Sequence, residues 1–273
     1  MKSILSVSQL ELNANRLNDT THERASKLFR ENGALWIKNA IPRSLVENLA
    51  EAYASKYSSQ SQSKLGKKHA LVGDQRFMVT VTIESPFNTS QLYANPLLMP
   101  ILKSMLGEQC VISSFGSVVT FPGAQPQPIH FDHPPLFESE EHCIALPPHA
   151  ITLVVPLVDI DPAVGSTAIW EGSHAAPGAR KQLHRLMEDP NWIDAAQPLT
   201  RLGDVYLMDY RVIHGGAENK SDHPRPILYL VYSRPWFRDV FNFFDQPPIE
   251  FAPGEFKKVP KELRRLFAGG CNS

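Results

Sequence analysis

A chain of 273 residues, 42% hydrophobic and 20% charged, can bury a sizeable core and suits one large β-rich domain. Its formal net charge of -1 leaves no excess for a polyanionic partner, and no basic stripe interleaved with aromatics marks a nucleic-acid surface. No apolar run reaches the roughly 18 residues a membrane span needs. The opening stretch MKSILSVSQLELNANR has too short an apolar run for a signal peptide. Cys110, Cys143 and Cys271 lack paired spacing, as free thiols in a reducing compartment would. A cytoplasmic protein without nucleic-acid or membrane partners is expected.

In chain order, Thr20 and Glu23 have capping-box spacing, and Ala25, Leu28 and Phe29 continue a helix that Gly33 stops. Residues 34–37 read as a buried strand. Pro42, Ser44 and Glu47 then signal a second helix with Leu45, Leu49, Ala52 and Tyr53 on one face. The polar stretch 57–68 reads as a mobile loop. Residues 78–83 alternate as a strand, and Asn95-Pro96 opens a third helix ending at Gly107. Beyond it, 111–121, 151–160, 166–170, 205–208 and 227–232 are strand-like runs separated by Pro, Gly, Asp and Asn. The 23 prolines fit such a chain of short segments. The insertion 134–149 shows no pattern and reads as a lid or a surface excursion. The aromatic run Trp236-Phe237 and Phe241 to Phe244 favours core packing over a substrate wall, and 257–267 reads as a short amphipathic helix.

Helices first and short strands afterwards give an α+β, mainly β chain built on a jelly roll. One domain is expected over 1–273: a helical part to about 107, the jelly-roll core over about 108–245 and an extension over about 246–273.

His130 and Asp132 stand two residues apart, so on an extended strand an imidazole and a carboxylate point to the same side. Alone the pair is weak evidence, because 10 histidines make chance pairs common. His214, after the run 205–208 and a turn, can supply a third ligand. Two His and one carboxylate on one face leave positions open, as in non-haem iron oxygenases, whereas structural zinc closes with four ligands. Arg225 follows; if the strand 227–232 pairs beside the one ending near His214, its guanidinium can face the same cavity and grip a carboxylate such as the far one of 2-oxoglutarate. A surface ion pair is the competing reading. His174 reads as a turn histidine, His133 as a loop residue facing away, and His142, His149, His184 and His223 as residues of polar or Pro-rich stretches.

The ordered set QPIHFD at 127–132, GST at 165–167, GSH at 172–174, DYRVIHGG at 209–216, Asn219, RP at 225–226 and YSRPWF at 232–237 resembles the phytanoyl-CoA dioxygenase family of Fe(II)/2-oxoglutarate-dependent oxygenases. FRENG at 29–33, before a strand and IP at 41–42, is similar to the family's opening. The resemblance implies a double-stranded β-helix (jelly roll, cupin-like) core with N-terminal helices packed on one sheet. It implies iron ligands His130, Asp132 and His214, with Arg225 on the distal carboxylate of 2-oxoglutarate and Gln127 and Thr167 touching that co-substrate. Halogenating relatives lack the carboxylate, so Asp132 points to oxygenation or desaturation. The implied activity is oxidation, foremost hydroxylation, of a small organic molecule in natural-product or secondary metabolism. Fe(II), 2-oxoglutarate and O2 would serve it, ascorbate would be an auxiliary reductant, and succinate and CO2 would be released. Desaturation, cyclisation, endoperoxide formation, zinc-dependent hydrolysis and a non-catalytic metal-binding jelly roll remain open alternatives. The expected partner is a small-molecule substrate, and the expected state a monomer or homodimer.

Overall fold

The structure, a computed structural model, describes residues 3–57, 69–243 and 246–269. Strand β1 (Ile4–Ser6) leads into helices α1 (Gln9–Ala14) and α2 (Asp19–Asn32). Asn18, not Thr20, starts α2: its side chain accepts from the Thr21 backbone N at 2.8 Å, which leaves Thr20 inside the first turn. Gly33 ends the helix in the left-handed conformation, at φ 70°. Next come β2 (Ala34–Lys38), α3 (Arg43–Tyr57), β3 (His69–Gly73), β4 (Arg76–Thr80), β5 (Thr82–Ile83), α4 (Ser90–Tyr93) and α5 (Met99–Leu106). The helix expected from Asn95 starts later, because the Asn95 side chain instead caps a tight turn through Leu97 N at 2.9 Å. The polar stretch read as a loop lies, beyond Tyr57, outside the described residues.

The second half contains β6 (Val111–Thr120), α6 (Glu140–Ala145), β7 (Ala150–Pro156), β8 (Thr167–Ile169), α7 (Ala179–Glu188), β9 (Val205–Asp209), β10 (His214–Gly216), β11 (Arg225–Ser233) and β12 (Glu250–Phe251). The insertion 134–149 is not structureless, since α6 forms within it with Ser139 as its cap. Residues 257–267 do not form one helix: two 3-10 segments, Glu255–Lys258 and Lys261–Phe267, are split at Pro260.

Eight strands make one sheet in the order β1-β2-β9-β7-β11-β6-β4-β3, antiparallel except for β1–β2. The pairs β8–β10 and β5–β12 form two small sheets. This is a jelly-roll arrangement in which the first third supplies edge strands as well as helices. Side-chain alternation divides the large sheet into two working faces. Ile151, Leu153 and Val155 of β7, Leu207 of β9 and Leu228, Leu230 and Tyr232 of β11 pack against Phe29, Leu49, Tyr53 and Ile101 of the helices. Each such burial contributes roughly 1.5–3 kcal/mol. The intervening residues Thr152, Val154, Tyr206, Met208, Tyr229 and Val231 face the opposite way and line a cavity.

Candidate metal and co-substrate site

The small β8–β10 sheet covers that cavity. His214 opens β10, and its backbone exchanges two hydrogen bonds with His130, at 2.9 and 3.0 Å. This isolated bridge brings the two imidazoles together, with ring centroids 4.4 Å apart and planes tilted by 53°. Asp132 sits in the bend just past the bridge rather than on a continuing strand. Ligand atoms of His130, Asp132 and His214 all lie within 4.8 Å of one another, the one such cluster found among the described residues.

Each ligand is oriented by a neighbour. His130 Nδ1 meets the Pro128 carbonyl at 2.7 Å and His214 Nδ1 the Val212 carbonyl at 3.1 Å. With the protons held on Nδ1, both Nε2 lone pairs face the cluster. Thr152 Oγ1 donates to Asp132 Oδ2 at 3.1 Å, and Asn242 Nδ2 to the Asp132 carbonyl at 2.8 Å. Burial, aided by His214, depresses the His130 pKa to about 4, which keeps that imidazole neutral. Burial also pulls His214 down, but the Asp132 carboxylate outweighs it and the net shift is upward. Burial would raise Asp132, yet the two imidazoles and the Thr152 bond bring it below the ordinary carboxylate range. Two imidazoles and one carboxylate, on one side of a cavity of about 180 Å³, fit an octahedral metal ion with open positions.

Arg225 opens β11 in phase with Tyr229 and Val231, so it faces the cavity. Its β11 strand lies between β6 and β7, not beside β9, the strand that ends near His214, as expected. Strand parity rather than adjacency therefore aims the side chain. Arg225 is 3% exposed and donates to the Gly165 carbonyl at 2.7 Å and Thr120 Oγ1 at 3.0 Å. No carboxylate among the described residues pairs with it. Thr167 lines the cavity with its hydroxyl 2.7 Å from the Tyr206 hydroxyl. Gln127 also lines it, but its amide is engaged by protein: Oε1 accepts from Arg76 at 3.0 Å and from Gly216 N at 3.2 Å, while Nε2 donates to the Val72 carbonyl.

Arg76 was missed by sequence reasoning. It pairs in register with Thr120 from the β4 side, as Arg225 does from the β11 side, so two guanidiniums share one face across β6. Arg76 is 1% exposed, and its Nε lacks a partner. Burial, reinforced by Arg225, pulls Arg76 far below the ordinary arginine range. A guanidinium does not give up its proton within a protein, so this pair creates demand for an anion. Its alternation with Met78 was the one available signal. His174 stays outside the cluster, with Nε2 on the Arg30 carbonyl at 3.1 Å.

The fold is shared with 2-oxoglutarate-dependent non-haem iron enzymes, and the His–Asp–His cluster could hold a metal ion. The chain belongs to the phytanoyl-CoA dioxygenase (PhyH) family, whose profile matches residues 29–227. Among curated relatives, Dioxygenase af480 of Aspergillus fumigatus is 26% identical over 184 residues, covering 65% of this chain and 53% of that protein. The chain thus spans about half the length of that relative. Among solved structures, the non-heme alpha ketoglutarate dependent carbocyclase SnoK from nogalamycin biosynthesis superposes with a TM-score of 0.59 at 20% identity, over 81% of this chain and 86% of its own. The epimerase SnoN, from the same biosynthesis, gives 0.58 at 18% identity, over 80% and 82%. SnoN has also been solved with Fe3+, alpha ketoglutarate and nogalamycin RO. At these identities the structures show a shared fold. No helix among the described residues is long and apolar enough to cross a membrane.

Proposed function

We propose that this chain is an Fe(II)- and 2-oxoglutarate-dependent dioxygenase that hydroxylates a small organic molecule, in natural-product or secondary metabolism of the cytoplasm. The observation that carries this is one cavity holding both a His130, Asp132, His214 cluster and the buried, carboxylate-free guanidinium of Arg225. Bound iron and 2-oxoglutarate would supply activation of O2, with succinate and CO2 as co-products, and ascorbate would restore iron oxidised off-cycle. The protein's part is positioning. His130, Asp132 and His214 would occupy three metal positions on one side and leave the others to co-substrate and O2. Arg225 would grip the distal carboxylate of 2-oxoglutarate in fork geometry, with Arg76 adding positive charge and Thr167 and Tyr206 offering hydroxyls alongside. Met208, Tyr229 and Val231 would keep water from the reacting carbon. The reactions of SnoK, a carbocyclase, and SnoN, an epimerase, both of nogalamycin biosynthesis, support the reading that this fold acts on small molecules of biosynthesis.

Anaerobic titration of the Fe(II)-loaded protein with 2-oxoglutarate tests the reading. A visible charge-transfer band is expected, and succinate is expected once O2 and a substrate are admitted. Arg225→Ala should weaken 2-oxoglutarate about 100-fold, since truncating one side of a buried charged contact costs roughly 3 kcal/mol. An unchanged affinity would remove Arg225 from the site, and absence of the band would sink the proposal.

A further inference from the structure

Next to the metal cavity lies a second, smaller one of about 50 Å³ that is partly open to solvent. The two share Phe131, the residue between His130 and Asp132, as a common wall. Leu136, Ile144 and Leu146 of the α6 insertion supply much of the apolar lining. Into this lining is set His149, which is 2% exposed. Neither of its ring nitrogens has a hydrogen-bond partner. The ring sits among aromatics, 4.6 Å from Phe237, 6.3 Å from His133 and 6.4 Å from Tyr210, centroid to centroid. Burial brings its pKa down to about 4, so at neutral pH it is an uncharged imidazole with one N–H donor and one lone pair.

The cavity carries no uncompensated charge that would call for an ionic ligand. Arg211 is held in a two-point contact by Asp209, at 2.8 and 2.7 Å, and its remaining nitrogen donates to the Cys143 and Leu146 carbonyls. Glu140 and Arg180, of opposite sign, are partly exposed. What the site lacks is a neutral polar atom beside His149. A hydroxyl can donate or accept, so it suits either tautomer of the ring once the ring turns a nitrogen toward the cavity.

We propose that this cavity is a second binding compartment for an uncharged, apolar organic molecule bearing a hydroxyl group that His149 recognises, the same molecule extending past Phe131 to the metal site as the substrate. Its being the substrate rests on the dioxygenase reading, whereas its binding does not. A phosphate-bearing acyl carrier finds no counter-charge here.

The full chain, labelled with 15N at histidine and loaded with Zn(II), is titrated with 1-naphthol and separately with naphthalene. Simple partitioning from water favours naphthalene, so a preference for the alcohol requires a polar partner. The expected result is about tenfold tighter binding of 1-naphthol, the ratio that one satisfied buried hydrogen bond supplies, together with a shift of the His149 ring nitrogens. His149→Phe, which keeps an aromatic ring in the cage, should level the two affinities by weakening 1-naphthol alone. Leu146→Trp should weaken both probes by filling the space. Co(II) in place of Zn(II) should broaden the resonances of the bound probe, because the compartments share a wall. Equal affinities in the unaltered protein, or a preference that survives His149→Phe, overturn recognition by His149. A bound probe indifferent to Co(II) overturns the link to the metal site. Failure to bind 2-oxoglutarate would count against the dioxygenase reading and leave the probe titration to decide the cavity.

Discussion

Gly216 is where the cavity's charge depends on the absence of a single methyl group. A Cβ there would overlap Arg76 Nη1, so the guanidinium fits beneath β10 only because residue 216 has no side chain. Gly216→Ala should displace the tip of Arg76, cost about 1 kcal/mol or less in unfolding free energy, and weaken 2-oxoglutarate roughly tenfold. Denaturant midpoints and calorimetric titration read the two effects separately. Glu11 illustrates charge at the opposite end of the chain. Burial would raise its pKa, but donors from Ser8 Oγ and N, the Thr21 side chain and Asn18 N bring it from 4.5 down to about 2. A folded-state pKa below the unfolded one adds stability above about pH 4.5 that is lost as pH falls towards about 2. The full shift corresponds to about 3 kcal/mol as an upper figure. Glu11→Gln should therefore narrow the gap between melting temperatures measured at pH 7 and pH 3.

Among the elements, β7 and β11 bear both the core and the site. Leu153→Ala, at the centre of β7 on its helix-facing side, should cost about 2–5 kcal/mol in urea unfolding while the cavity side of the strand keeps Thr152 and Val154. The strand runs of the second half were legible because alternation and Pro or Gly breaks are local signals. The pair at 130 and 132 was legible for the same reason, although the carboxylate reaches the cluster through a bend rather than an extended strand. Arg225 could be picked out as cavity-facing, but its neighbours could not, because the order β7-β11-β6 is decided by long-range pairing. Arg76 was hidden by the same limit: an arginine on a strand reads as solvent-facing until β6 and β11 close over it. His149 looked like part of a polar loop, and only the packing of Phe237 and Tyr210 around it reveals a buried ring.

At the scale of the whole molecule, metal and co-substrate that bind the folded state should raise its stability by mass action. Fe(II) with 2-oxoglutarate at 100 times their dissociation constants should add about 2.7 kcal/mol per ligand, read as a rise in melting temperature that chelation by EDTA reverses. The gain should shrink as pH falls into the range where His214, whose pKa is raised by Asp132, takes up a proton that competes with the metal. The mutual backbone bridge between His130 and His214 gives that reversal a particular form. Main-chain hydrogen bonds, not the ion, hold the two imidazoles in place. The stripped protein should therefore keep its near-ultraviolet circular dichroism, accept Co(II), Mn(II) or Ni(II) in turn by simple dialysis, and recover iron without refolding. In this respect it would act as a standing socket, unlike a finger domain that collapses when its metal is withdrawn.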